Sequence, residues 1–331
     1  SDVWIEDASV ASIYMQLHET FFLFTRYALA HMINQGIDMT GGIQLEFSVD
    51  GVASDVAIQS LKTTIIQRKM IIPADQEKII TDTLVYQISG TNHIVVEAGI
   101  DESAAQKDGK ADFVRIDAAK AAFNGAIKKE LDKITGATVI ETQYRNVGAS
   151  FGDYIKSSGY RTLILAIIMI SLYIQYAFRG SIAGMASWPF AVVTTVSLAH
   201  DVIVAFGFYV VASHFFPEFK IDTFFITAML TVLGYSINDT IVVMDRIRSN
   251  LQHPKSSKGT FSTLIDTSIW DTMRRSLFTT FTIIIVLVAM FFFGPESIKG
   301  FTLALIFGTF VGAYSSICIA SPLLVDLTGK K

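Results

Sequence analysis

Between residues 161 and 325 the chain carries five long apolar runs, at about 161–178, 186–212, 222–244, 276–293 and 301–325. A bilayer core of about 30 Å takes roughly 20 apolar residues at 1.5 Å rise each. A run of that length in lipid has to satisfy its backbone internally, which selects the helix. Of the 331 residues 51% are hydrophobic and only 17% charged, with mean hydropathy +0.46. That is too apolar for a soluble enzyme and too charged for a chain buried in membrane throughout. Residues 37–160 mix acids and bases as a soluble domain does. The expectation is one soluble domain and one helical membrane domain. No basic stripe points to nucleic acid. The single cysteine, Cys318, sits in an apolar run and has no partner for an internal disulfide.

A further apolar stretch, 11–33, precedes the soluble domain. Phe21-Phe22-Leu23-Phe24 is apolar, but His18, Glu19, Arg26 and His31 intrude. It reads as a first spanning helix whose polar face meets protein, with a surface-lying amphipathic helix as the alternative. No small-residue cleavage site follows it, so it is not expected to be a cleavable signal peptide. Orientation follows the lysine and arginine bias of short loops. Segment 245–275 holds Arg246, Arg248, Lys255, Lys258, Arg274 and Arg275, and the chain ends in Lys330-Lys331. Loops 213–222 and 294–300 hold one lysine each, Lys220 and Lys299. This places 245–275 and both termini in the cytoplasm and 36–158 outside. Residues 260–273 have helical apolar spacing (Phe261, Leu264, Ile265, Ile269, Met273) and are expected to form an interfacial helix before the fifth span.

The soluble domain shows short elements. Residues 43–49 alternate and end at the turn signal Asp50-Gly51. Residues 54–69 are expected to be helical, with Val56, Ile58, Leu61 and Ile65 on one side. Residues 84–89 and 93–98 read as a hairpin around Gly90-Thr91-Asn92. A second helix is expected at 113–133 and a closing strand at 137–144. The order is βαββαβ, an α+β ferredoxin-like split βαβ unit inserted between two spans. It shows no catalytic constellation; His93 and the scattered carboxylates are expected at the solvated surface.

Gly234-Tyr235-Ser236-Ile237-Asn238-Asp239 interrupts an otherwise apolar run. A carboxylate near the centre of a spanning helix is disfavoured by about 2.5–3.5 kcal/mol on insertion scales, and such groups mark ion pathways, proton relays or tight interhelical contacts. Asp239 lies about fifteen residues, or about 22 Å of helix, from the outer end of its span, in the inner half. Arg275 starts the fifth span at its inner end, so an Asp239–Arg275 contact is expected. Burial raises a carboxyl pKa and a nearby arginine lowers it, so a group switching between these settings can take up and release a proton. The other reading is a static clamp, in which Asn238 and Asp239 hydrogen-bond neighbouring helices at about 0.6 kcal/mol each. Asp201 is the second buried carboxylate, either a second relay station or a polar interhelical contact. His200 stands beside it, but adjacent helical positions point about 100° apart, so the two are not expected to form one site. Thr279 and Thr282 follow Arg275 at helical spacing, and Gly300, Gly308 and Gly312 suit close helix packing.

Several segments carry a resemblance. Gly36-Ile37-Asp38-Met39-Thr40-Gly41-Gly42 is similar to the GIDFTGG motif of the SecF branch of the SecD/SecF protein-export family. Val147-Gly148-Ala149-Ser150 resembles that family's VGPSVG segment, with Ala149 in place of proline and Met39 where phenylalanine is usual. Ala199-His200-Asp201 is a third match. Residues 234–239, followed by Val242-Val243-Met244-Asp245-Arg246-Ile247-Arg248, resemble GYSxNDxxVxxDRIR, and Thr272-Met273-Arg274-Arg275-Ser276-Leu277 resembles the entry to the fifth span.

The resemblance implies a multi-span α-helical membrane protein, a six-helix half related to the RND superfamily. It also implies an accessory of the Sec machinery that uses the proton-motive force, in the bacterial cytoplasmic membrane. Its implied partners are a SecD-like subunit, the Sec channel, unfolded exported polypeptides and the bilayer. No cofactor is implied; the transported ion is a proton, or sodium as in some relatives. Asp239 becomes the proton carrier and Arg275 its counter-charge, with Asn238 and Asp201 beside them. Gly36, Asp38, Gly41, Gly42, Gly234, Tyr235, Ser236, Asp245 and Arg246 are motif and structural positions. The competing classes are another RND-like exporter half, a non-motor scaffold, and an intramembrane aspartyl protease. The last carries YD and GxGD motifs, whereas Asp201 and Asp239 here follow His and Asn.

Overall fold

The computed structural model describes residues 34–49, 54–66, 79–88, 91–107, 110–136, 139–179, 188–216, 218–252 and 260–328. The expected first span at 11–33 lies outside them. The chain divides into two compact units. One comprises Asn34–Ser158 with Phe216–Thr223; the other contains Gly159–Phe215 and the chain from Phe224 on.

The first unit starts with a single helical turn, α1 (Ile37–Thr40), then β1 (Gly42–Ser48), α2 (Ser54–Ile66), β2 (Ile80–Gln87) and β3 (His93–Ile100). A minor ribbon of β4 (Gln106–Lys107) and β5 (Lys110–Ala111) precedes α3 (Phe113–Thr135) and β6 (Ile140–Val147). The four long strands are ordered β2-β3-β1-β6, and every neighbouring pair is antiparallel. Alternation puts Ile43, Leu45 and Phe47 of β1 on the inner face. They pack with Ile94 and Val96 of β3, Leu61 of α2, and Phe123, Ile127 and Leu131 of α3. On α2 the buried stripe is Ala57, Ile58 and Leu61, while Val56 points out at 59% exposure. Ile58, Leu61 and Ile65 face the core as expected; Val56 does not, and Ala57 takes its place.

Helix α3 is capped at both ends. The Asp112 carboxylate accepts from the Val114 and Arg115 amides, and Gly136 closes the helix in the left-handed region at φ +65°. The Asp132 side chain accepts from the Val139 amide at 2.8 Å. This cap postpones the last strand to Ile140, against an expected start at 137. The turn into β1 has Gly41 at φ +75° and Gly42 at φ +137°. A Cβ on Gly42 would stand 2.3 Å from the Ala98 carbonyl oxygen, so both conformation and space require glycine.

The second unit is helical. The described residues hold five helices long and apolar enough to cross a membrane. They are α4 (Ala149–Ala177), α5 (Trp188–Phe215), α6 (Thr223–Gln252), α7 (Phe261–Phe293), and a last helix formed by α8 (Lys299–Ser315), a π turn (Ser316–Ala320) and α9 (Ser321–Thr328). Helix α5 is apolar on all sides, as a central helix should be: 56% of its most apolar window is buried, against 6% for α4. Residues 260–273 are not a separate interfacial helix. Thr260 caps a continuous helix from Phe261 to Phe293, because no glycine or proline breaks the helical apolar spacing. The core of this unit joins Ile174 of α4, Phe190 and Val193 of α5, Val243, Met244 and Ile247 of α6, Ile265 of α7 and Leu324 of α9. Gly308 meets α6 so closely that a Cβ would lie 2.1 Å from a Val232 methyl, and one on Gly312 would lie 3.0 Å from the Ser236 Cβ.

Candidate functional site: two buried carboxylates in the helical unit

Helix α6 sets Ser236 and Asp239 on one face, three residues apart. Asp239 is buried, and its carboxylate is held by two hydroxyls. Ser276 of α7 donates to Oδ1 at 2.5 Å, and Ser316, at the start of the π turn, donates to Oδ2 at 3.0 Å. Asp201 of α5 is 0% exposed. Its Oδ2 accepts from Ser315 at 2.8 Å and from Ser236. Its Oδ1 lies 3.0 Å from His200 Nδ1, and His200 Nε2 lies 3.1 Å from the Tyr314 hydroxyl.

Two expectations are corrected here. His200 and Asp201 do share one site: the helical offset separates their Cα–Cβ directions, but imidazole and carboxylate are long enough to close sideways. Asp239 and Arg275 form no ion pair within 4.0 Å among the described residues. Both line one cavity of about 260 Å³, together with Tyr235, Asn238, Val242, Thr279, Thr282 and Ile283. The serines already donate to both carboxylate oxygens, and Arg275 is exposed. Tyr235 closes the cavity wall through a 2.9 Å hydrogen bond between its hydroxyl and Thr280.

A second cavity of about 420 Å³ is lined by Val242, Asp245, Arg246, Ser249, Asp271, Thr272 and Arg275. Arg246 donates to Asp271 Oδ2 from Nε at 3.0 Å and from Nη2 at 2.7 Å. Arg275 and Val242 border both cavities. Asp245 lines only the second, and Gly234 has open space around its Cα.

The remaining motif residues lie in the sheet-bearing unit. Asp38 is buried in α1 and paired with Arg145 of β6 at 2.8 Å. Gly36 donates its amide to the Ile221 carbonyl at 2.9 Å, and Gly41 and Gly42 form the strained turn. Not every carboxylate of this unit is solvated, as composition suggested: Glu97 is buried too. It forms an ion pair with buried Lys220 and accepts from Tyr86 at 3.0 Å and Gln44 at 2.8 Å. His93 Nδ1 lies 2.5 Å from Glu46 Oε1. Burial pushes the Tyr86 phenol well above its ordinary pKa, helped by the charge of Glu97. Burial also lowers the Lys220 ammonium, and Glu97 opposes that shift.

Sequence reasoning missed Ser276, Ser315, Ser316 and Tyr314. Small hydroxyl residues are ordinary interhelical contacts in membranes, so nothing in their spacing sets these apart.

A carboxylate wrapped in neutral hydroxyls is satisfied in either charge state. A hydroxyl donates to an anion, and it accepts from a protonated acid while turning its own hydrogen elsewhere. The fold and site together define a multi-span membrane protein with paired acids inside its helical unit. Residues 126–330 match the family described as "Protein export membrane protein SecD/SecF, C-terminal". The chain belongs to this family. It is 31% identical over 328 residues to the protein translocase subunit SecF of Vibrio alginolyticus, covering 99% of this chain and 89% of that one. It is 39% identical over 178 residues to the SecF of Sebaldella termitidis, covering 54% and 53%. The crystal structure of SecDF, a translocon-associated membrane protein from Thermus thermophilus, superposes with a TM-score of 0.70 at 23% identity. That match covers 96% of this chain and 38% of the other.

Proposed function

We propose that the chain is a SecF-type accessory of protein export that couples the proton-motive force to polypeptide translocation, and not an enzyme. Asp239 is the proton carrier. The observation that carries this is the setting of its carboxylate: buried in an apolar helix, bonded among the described residues to the hydroxyls of Ser276 and Ser316, and bordering a cavity that Arg275 also lines. Neutral hydroxyl partners can serve the acid in either charge state, and Arg275 lines the same cavity. Asn238 faces the same cavity, and Asp201 is a second station. The transported ion is a proton, with sodium as the alternative. Each charge moved draws about 2.3 kcal/mol per 100 mV, so one polypeptide needs repeated cycles.

The chain works with a SecD-like subunit and the Sec channel on unfolded exported polypeptides. It sits in the bacterial cytoplasmic membrane as a six-span, RND-like half, with both termini and 245–275 cytoplasmic. Residues 36–158 form an extracytoplasmic ferredoxin-like domain; the strand order β2-β3-β1-β6 with two helices supports this assignment. The test is export into inverted membrane vesicles with the SecD partner, with and without a gradient. Asp239→Asn is expected to assemble normally and to lose the stimulation by the gradient. Retained stimulation overturns the motor and leaves a scaffold.

A further inference from the structure

Ser315 and Ser316 are adjacent in the chain, yet they serve different carboxylates. Consecutive helical residues point about 100° apart, so one side chain reaches Asp201 of α5 and the next reaches Asp239 of α6. Each hydroxyl has a second acceptor in its own helix. Ser315 lies 3.2 Å from the Gly312 carbonyl oxygen, and Ser316 lies 3.3 Å from that of Ala313. A hydroxyl carries one hydrogen, so it serves one acceptor well at a time.

The backbone at this point is already irregular. The π turn opens at Ser316, and the freed Ser316 carbonyl is taken by the Ser321 hydroxyl at 3.0 Å. Single π turns inside α-helices frequently sit at functional sites. Gly312 presses this stretch onto α6, and Tyr314 ties it to His200.

We propose that the Ser315-Ser316 pair couples the two buried acids, acting as positioning residues that pass the charge state of Asp239 to Asp201. This rests on the reading of Asp239 as an acid that changes protonation. While Asp239 is an anion, the Ser316 hydrogen goes to it, because a charge-assisted bond is about twice as strong as a neutral one. Once Asp239 is protonated, its own O–H donates to Ser316 Oγ. The Ser316 hydrogen then turns to the Ala313 carbonyl. That carbonyl neighbours the Gly312 carbonyl to which Ser315 is the alternative donor. The same short stretch is therefore re-bonded on the side that holds Asp201. Of the other groups around Asp239, Arg275, Asn238 and Tyr235 share its cavity and Ser276 comes from α7; Ser236, one turn away on α6, reaches Asp201 and not Asp239.

The test is acid-minus-neutral infrared difference spectroscopy on the full chain in lipid vesicles, read at the carboxyl C=O stretch. Asp239→Asn identifies the Asp239 band by its loss. Ser316→Ala is expected to shift that band to higher frequency, because the carboxyl loses a hydrogen-bond partner. Ser315→Ala, which touches Asp201 and not Asp239, is expected to shift it as well. Ser315→Thr and Ser316→Thr keep the hydroxyl and are expected to return the band to its native position, which separates positioning from misfolding. If the band is assigned and Ser315→Ala leaves it unmoved, the coupling is overturned while the proton-carrier reading stands. If Asp239→Asn removes no band, the acid does not titrate and both readings fall.

Discussion

Arg275 and Asp239 border one cavity without forming an ion pair. The acid is satisfied by Ser276 and Ser316, and the guanidinium stays exposed at its rim. On the proposed reading, Arg275 serves Asp239 across the cavity and not as a clamp. Arg275→Lys keeps that charge but loses the planar, weakly hydrated fork. We expect unfolding stability within about 0.5 kcal/mol of wild type, as for an exposed substitution. Gradient-stimulated export is expected to fall toward the level of Asp239→Asn. Comparing the two variants in the same vesicles checks this; full stimulation with lysine reduces Arg275 to a topological charge.

Lys220 and Glu97 are both buried, and removing one partner of a buried pair strands the other charge. Lys220→Ala is expected to cost about 3–5 kcal/mol. The double variant Lys220→Met with Glu97→Gln leaves no orphan charge and is expected to recover most of that loss. Denaturant unfolding in detergent reads both. A Lys220→Ala value below about 1 kcal/mol marks the pair as solvated.

The Tyr86 phenol stays protonated in the folded chain far above its ordinary range. In the unfolded chain it ionises near pH 10. Above that pH the unfolded state binds fewer protons, so stability falls as pH rises. Lys220 acts oppositely: its lowered value means that the unfolded state binds more protons just below the ordinary lysine range, and stability rises with pH there. Tyr86→Phe is expected to flatten the alkaline decline, measured as denaturation midpoint against pH. An unchanged slope shows that Tyr86 is not the group responsible.

Gly308 allows the last helix to touch α6. Gly308→Ala drives a methyl into Val232 and is expected to cost about 1–3 kcal/mol, as overpacking does. Val232→Ala in the same chain makes room and is expected to restore part of it. Thermal unfolding of the four combinations gives the coupling; strict additivity argues against the contact.

The membrane helices were legible because hydropathy sums over some twenty residues, and single errors at their ends average out. The helix over 261–293 was legible in composition but not in continuity, since its first part has the mixed polarity of an interfacial segment. Strand boundaries were poorly legible: β6 starts where the Asp132 side chain lets it, and a side-chain cap leaves no periodic trace. Asp239 and Asp201 stood out because a charge in an apolar run is conspicuous. Their serine partners did not, because a serine in a spanning helix is unremarkable until its neighbours are known. Lys220 read as one more loop charge; its burial depends on Glu97, more than a hundred residues earlier in the chain.

That lysine also limits mechanical travel. Residues 216–222 are all the chain there is between α5, which carries Asp201, and α6, which carries Asp239. An extended backbone spans at most about 3.5 Å per residue. With Lys220 anchored to β3, only Ile221 and Asp222 remain before α6 begins at Thr223, so the first residue of α6 has a reach of about 10 Å from that anchor. Were α6 to move farther than that in a working cycle, Lys220 would have to leave Glu97 first, so the pair would act as an end-stop.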